Sequence, residues 1–325
     1  MNSLTVNLHL LMVSFYAPTP KRFKILFEAK AFPSDYFAFH SQVQLHGFDA
    51  DEALVQLRPR EGEVCVRMED VLRVIEEMGD EIAVVLFSGV QFYTGQLFDM
   101  QAIASAAKQK GCIVGFDLAH AVGNVELKLH DWQVDFASWC SYKYLNGGPG
   151  NIGGAFMHSK HFNNLQSMPR LAGWWGSKPE SKFDMDNTFT PIKGAYSLRL
   201  SNPSVLSVTC LYASCLVFDS TSIKDLRARS LLLTGYLHDL LHFWIISSHP
   251  YVQIITPSDP KQRGCQLSIL FKRDGLMMKA FGHLLANGVV CDERKPDVIR
   301  VAPAPLYNTF KEVFQFVQIL KEAIQ

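Results

Sequence analysis

Two short stretches carry the side chains best suited to covalent chemistry, "FDLAH" at 116–120 and "SYKYLNGGPG" at 141–150. Asp117 closes an apolar, β-rich run, and Lys143 follows the end of the next one. In an open α/β sheet, ligands bind beyond the carboxyl ends of the strands, so a shared sheet brings this acid and this amine to one crevice. A lysine amine attacks carbonyl carbons. In pyridoxal phosphate enzymes it holds the cofactor as a Schiff base, while a carboxylate keeps the pyridine nitrogen protonated and the ring acts as an electron sink. Two plainer roles fit the same residues: an ordinary ion pair, or a lysine whose stem lies along apolar surface with its amine in solvent.

Other motifs give less. "GPGNIG" at 148–153 matches GxGxxG, but a dinucleotide fingerprint needs a strand before it, a helix after it and an acid about twenty residues on. Here "GGAFMHS" reads as a further strand, which makes the match a chance one and a nicotinamide cofactor the weaker reading. Amides of this glycine turn could still serve a phosphate. His120 lies three residues after Asp117, close enough to share its pocket, and without a third ligand it makes no metal site. His158 and His161 are assigned to surface or packing. No GxSxG elbow is present. Seven cysteines, an odd number with no CxxC pair or zinc spacing, suit reduced thiols and a cytoplasmic protein.

The elements that position these residues follow from composition and period. A chain of 325 residues with 48% hydrophobic and 19% charged residues can bury a sizeable interior, and its length suggests two domains. Lys plus Arg and Asp plus Glu each total 31 without long single-sign runs, so nucleic acid and anionic membrane are not expected partners and a small molecule is. The apolar N-terminus reads as a buried helix. The charge-free run between Arg199 and Asp219, interrupted by Asn202, Pro203 and several hydroxyl residues, reads as a core helix and not a membrane span.

From Lys24 to His158, runs at 24–29, 82–88, 112–118, 135–140 and 153–158 read as strands, several apolar throughout. Helical periodicity lies between them. "RMEDVLRVIEEMG" places Met68, Val71, Leu72, Ile75 and Met78 on one face and stops at Gly79, a candidate C′ glycine. Such alternation predicts an α/β fold with a mainly parallel sheet flanked by helices. After about residue 210 the pattern changes to a smaller α+β unit whose last helix opens with capping-box spacing at Thr309 and Glu312. The expected domains are 1–210, binding the cofactor, and 211–325.

"FDLAHAVGN" followed by "SYKYLNGGPG" resembles kynureninase, a fold-type I pyridoxal phosphate enzyme. So do "NSLTVNLHLLM", "EAKAFPSD", "LFSGVQFYTGQ", "AGWWG", "RLSNP" and "IRVAPAPLYN", in this order along the chain. The resemblance implies a seven-stranded-type large-domain sheet. It also implies hydrolysis of L-kynurenine or 3-hydroxykynurenine to alanine and anthranilate or 3-hydroxyanthranilate, in tryptophan catabolism and NAD biosynthesis. By position, Lys143 is then the Schiff-base lysine and proton shuttle, and Asp117 the partner of the pyridinium nitrogen. Phe32 stacks on the ring, and Leu4 and Thr5 hold phosphate at a helix start. Tyr142 adds a phosphate contact, while Pro33, Ser34, Asp35, Ser88 and His120 match further cofactor-pocket positions. Trp174 and Asn202 match positions that reach the cofactor across a homodimer interface, and Arg300 matches a clamp for the substrate carboxylate. Family members carry further chain ahead of "NSLTVNLHLLM", so a truncated product with impaired turnover is expected. A cysteine desulfurase-type reaction using Cys291, or a catalytically silent binding or dimer-modulating protein, are the alternatives.

Overall fold

Strands covered on both faces should be apolar without alternation, and the centre of the run "KILFE", Ile25 to Phe27, is apolar and buried. The computed structural model describes residues 1–325 and places β1 at Lys24–Glu28, β2 at Leu54–Leu57, β3 at Ile82–Ser88, β4 at Ile113–Asp117, β5 at Phe136–Cys140 and β6 at Gly153–Met157. They form one sheet in the order β2-β1-β3-β4-β5-β6, parallel except for β6, which runs antiparallel along β5 at the edge. The sheet has six strands, not seven. The first 160 residues hold six β-forming runs once the short β2 is included, and β6 closes one edge.

Alternate side chains of each strand go to opposite layers. Ile25, Phe27, Val84 and Leu86 pack on helices α1 (Leu4–Phe15) and α2 (Pro33–Leu45), while Leu26, Val85, Phe87, Val114 and Phe116 pack on the opposite side. That second layer contains α4 (Met68–Met78) and α5 (Met100–Gln109); a single-turn α3 (Ala50–Ala53) leads into β2. Gly115 of β4 sits beside Phe136 of β5 in register, and a Cβ there would lie 2.4 Å from the Phe136 ring. Gly115→Ala therefore should destabilise the protein by about 1–3 kcal/mol through overpacking, read as a lower denaturant midpoint. An unchanged midpoint would show that the Phe136 ring can move aside.

Beyond α6 (Val205–Asp219) and α7 (Ile223–Leu241), a second, antiparallel sheet forms from β7 (Val252–Ile254), β8 (Leu267–Phe271), β9 (Asp292–Arg294) and β10 (Val298–Val301), in the order β7-β8-β10-β9. Helix α7, α8 (Leu276–Ala286) and α9 (Phe310–Ile324) cover it around a core that includes Leu233, Leu237, Ile269, Leu284 and Val317. The capping box at the start of α9 is formed, with the Thr309 N–H donating to Glu312 at 2.7 Å and the Glu312 N–H donating to the Thr309 hydroxyl at 3.3 Å.

Two sequence expectations fail here. Gly79 does end α4, but in right-handed helical backbone (φ −56°). Its missing side chain instead makes room for the Ile75 carbonyl and the Lys110 stem, each within about 2.6 Å of where a Cβ would be. The run before Asp219 is helical without being core: α6 buries none of its residues, and Leu206 is 80% exposed. Apolar residues encircle α6 without forming one stripe, so its sequence selects no face for burial. No single helix is long and apolar enough to cross a membrane.

Candidate active site

The sheet order reverses between β1 and β3: the chain leaves β1 for β2 on one side, and leaves β3 for β4 on the other. A crevice opens at the carboxyl ends of strands at such a switch point. Glu28, Ser88 and Asp117 are the last residues of β1, β3 and β4, with Ser88 beside Asp117 in register, and Cys140 at the end of β5 leads into the turn bearing Lys143. Two helix starts face the same crevice. Leu4 and Thr5 open α1, while Phe32 precedes α2 and Ser34 and Asp35 lie in its first turn.

Apart from Cys140, these residues, with Val90, Phe92, Ala119, His120 and Tyr142, line a cavity of about 220 Å³. An apolar cavity of about 150 Å³ accepts benzene, so this one takes a substituted aromatic ring, whereas a dinucleotide is far larger. Wider grooves of about 610 and 910 Å³ lie elsewhere but are more open, and neither gathers these buried acids around a free cation.

Charge in the cavity is lopsided. Glu28, Asp35 and Asp117 are all buried, and none is ion-paired. Burial raises the pKa of Asp117, although the Ala119 N–H donating to its Oδ1 at 2.7 Å works against that rise. Asp35 is pushed well above the carboxylate range, first by burial and then by repulsion from Asp117, and its Oδ1 has no hydrogen-bond partner. Burial also raises Glu28 to about 7 and holds His120 well below the usual imidazole value; His120 Nδ1 is likewise unpartnered. Three carboxyls in one dry site cannot all ionise cheaply, so the site retains protons and favours a cation.

Lys143 is that site's cation, and it is not committed. Its Nζ lies 5.5 Å from the Tyr142 ring centroid and 6.0 Å from that of Phe32, and it forms no ion pair with Asp117 or any other acid. The turn that presents it is pinned by Gly147 N–H donating to the Ser141 carbonyl at 2.8 Å and Asn146 N–H to that of Lys143 at 3.0 Å. The simple Asp117–Lys143 ion pair is thereby excluded, while both groups face one cavity.

Other expected residues lie elsewhere. Pro33 occupies the first turn of α2, but the lining comes from its neighbours Phe32, Ser34 and Asp35. Asn202 is exposed and Trp174 is about half exposed, its Nε1–H donating to the Lys182 carbonyl at 3.0 Å; neither lines this chain's cavity. Arg300, on β10, stands behind Phe92. Its fork is already engaged, with Nη1 donating to the Phe92 carbonyl at 2.6 Å and Nη2 bonded to Asp292, whereas Nε is buried without a partner. "GPGNIG" precedes an antiparallel edge strand and stays outside the cavity, so the dinucleotide context is absent. Glu28 was the residue not anticipated. Its signal was present: an acid at the end of a strand after the apolar residues Ile25, Leu26 and Phe27, the pattern that singled out Asp117.

Against known proteins, the chain is 55% identical over its whole length to kynureninase from Nematostella vectensis, spanning 71% of that protein. It is also 55% identical over 98% of its length to kynureninase from Mus musculus, spanning 69% of it. The chain belongs to the kynureninase family. A profile of the kynureninase C-terminal domain matches residues 226–320, the segment that builds the second sheet and its helices. Among solved structures, a cysteine desulfurase from Thermococcus onnurineus NA1 superposes with a TM-score of 0.80 at 15% identity, covering 99% of this chain and 78% of that one. A C-DES mutant with glycine covalently linked to its pyridoxal phosphate also reaches 0.80, at 14% identity, covering 99% and 79%. At such identities the likeness concerns the fold. Kynureninases use pyridoxal phosphate, and this cavity suits it: Asp35 and His120, each with an unpartnered atom, an uncommitted amine, and the first residues of a 12-residue helix line a space sized for one substituted ring.

Proposed function

We propose that this chain, with pyridoxal phosphate bound, hydrolyses L-kynurenine or 3-hydroxykynurenine at the side chain, releasing L-alanine and anthranilate or 3-hydroxyanthranilate. This reading places it in tryptophan catabolism and NAD biosynthesis in the cytoplasm. The observation that carries it is the uncommitted Lys143 facing the buried Asp35 and Asp117 across one ring-sized cavity, in a chain of this family.

Pyridoxal phosphate supplies an aldehyde for the lysine amine and a ring that accepts the electron pair left when a substrate α proton departs. The remaining tasks belong to the protein. Lys143 Nζ is the attachment point and then moves a proton between neighbouring carbons, since no carboxylate holds it elsewhere. Asp117, with Asp35 beside it, keeps a proton at the pyridine nitrogen; their reluctance to stand ionised without a cation favours that partner. Phe32 offers a ring face for packing. The amides of Leu4 and Thr5 and the hydroxyls of Ser34 and Tyr142 are the phosphate holders, where the α1 dipole favours an anion. Arg300 lies outside the cavity with its fork on Phe92 and Asp292, so to clamp the substrate carboxylate it would first have to release one of them. A homodimer accounts for Trp174 and Asn202, which are accessible to a second copy, and for the bare apolar surface of α6.

Kynurenine and cysteine, offered separately to the purified chain with pyridoxal phosphate, test the assignment. Anthranilate with alanine is expected from the first; sulfide from the second, without anthranilate from the first, would overturn it. Cys291 is half-buried, and burial raises its thiol to about 11, so little thiolate is present at neutral pH. Cys291→Ser should therefore leave kynurenine turnover within about twofold. Loss of turnover in that variant would assign the thiol a role this account denies it.

A further inference from the structure

We infer that Glu28 is a positioning residue for the cofactor cavity, its carboxylate fixing the Ser88 hydroxyl so that the serine oxygen can only accept hydrogen bonds from a ligand. The inference rests on the assignment of Ser88 to the pyridoxal phosphate site. Glu28 ends β1 and Ser88 ends β3, so their contact bridges the point where the sheet order reverses. Glu28 is 2% exposed and takes both donors of one residue: the Ser88 N–H lies 3.2 and 3.3 Å from its two carboxylate oxygens, and the Ser88 hydroxyl bonds to Oε1. No basic side chain is paired with Glu28.

A serine hydroxyl has one proton and two lone pairs. Once the proton goes to Glu28, the lone pairs are what remains for the cavity. A ligand group lying against Ser88 must then be a donor, an O–H or N–H, and an acceptor there would leave buried oxygens facing each other. Ser88 and the ionised form of Asp117, at the ends of β3 and β4, then make an edge of the cavity that accepts, matched to a donor-bearing edge of a heteroaromatic ring. Glu28 need not touch that ring to impose this; it acts through Ser88.

Pyridoxal phosphate affinity, followed by titration of the visible absorbance of the bound form, tests the coupling. The titration belongs about one pH unit above the raised value of Glu28, near 7, where the carboxylate form prevails. Ser88→Ala and Glu28→Ala should each weaken binding about tenfold, and the double variant should be no weaker than Ser88→Ala alone. Glu28→Gln, whose amide oxygen still accepts both Ser88 donors, should stay within about threefold of the parent. Thermal melts of the cofactor-free forms separate this from misfolding, and Glu28→Gln keeps the test valid if Glu28→Ala does not fold. Full tenfold additivity in the double variant, or Glu28→Ala binding like the parent while Ser88→Ala is weakened, overturns the role of Glu28. Ser88→Ala binding like the parent removes Ser88 from the site, and the inference with it.

Discussion

Lys143→Ala should lower kynurenine turnover by at least about 10³-fold, because in the proposed mechanism one side chain supplies both the covalent attachment and the proton carrier. Folding should be spared. The side chain is half-buried, forms no ion pair and touches the cavity chiefly through the rings of Tyr142 and Phe32, so its loss should change stability by about 0.5 kcal/mol or less. The pairing of collapsed turnover with an unchanged melt separates a chemical role from a structural one. A variant that retained more than about a tenth of the parent rate would place the proton carrier elsewhere.

Asp117→Asn should have the next largest effect, about 10²-fold or more on kcat and about tenfold on cofactor affinity. Asparagine keeps the size and the acceptor for the Ala119 N–H, so the turn after β4 should survive. What it loses is the negative charge that, on the proposed reading, would hold a proton at the pyridine nitrogen. The same substitution has a stability signature with a definite sign. The Asp35–Asp117 pair has folded-state pKa values raised above those of the unfolded chain, so the native state binds protons more tightly. Stability of the cofactor-free parent then falls as pH rises from the unfolded value through the raised one, and levels off beyond it. Asp117→Asn removes part of that penalty, so its melting temperature relative to the parent should climb across that pH range. A gap that stayed flat would show that the pair is not proton-retaining, and parental turnover would remove Asp117 from the chemistry.

The fold was legible where one physical requirement acted alone. Strands buried on both faces tend to be apolar throughout, and β1, β3, β4, β5 and β6 fall on the five runs read as strands, several of which follow that rule. Asp117 and Lys143 could be placed at one edge because parallel strands end together. What escaped depended on neighbours that a linear pattern does not reveal. β2 is four residues long and gains its identity by pairing with β1. α6 carries the composition of a core helix, yet hydrophobicity reports a demand for burial and not whether anything in the chain meets it. Glu28 looked like the polar end of a strand until Ser88 was seen against it. The Arg300 fork looked free because Asp292, eight residues before it, reaches it only across the β9–β10 pairing.

The central proposal is a covalent one: pyridoxal phosphate would join this chain at Lys143 Nζ and nowhere else. Reducing the cofactor-loaded protein with borohydride fixes the group in place, and peptide mass mapping then reads its position. A single phosphopyridoxyl addition on the peptide containing Lys143 is the expected result. Stoichiometric addition at another lysine, or none after loading at saturating cofactor, would contradict the account.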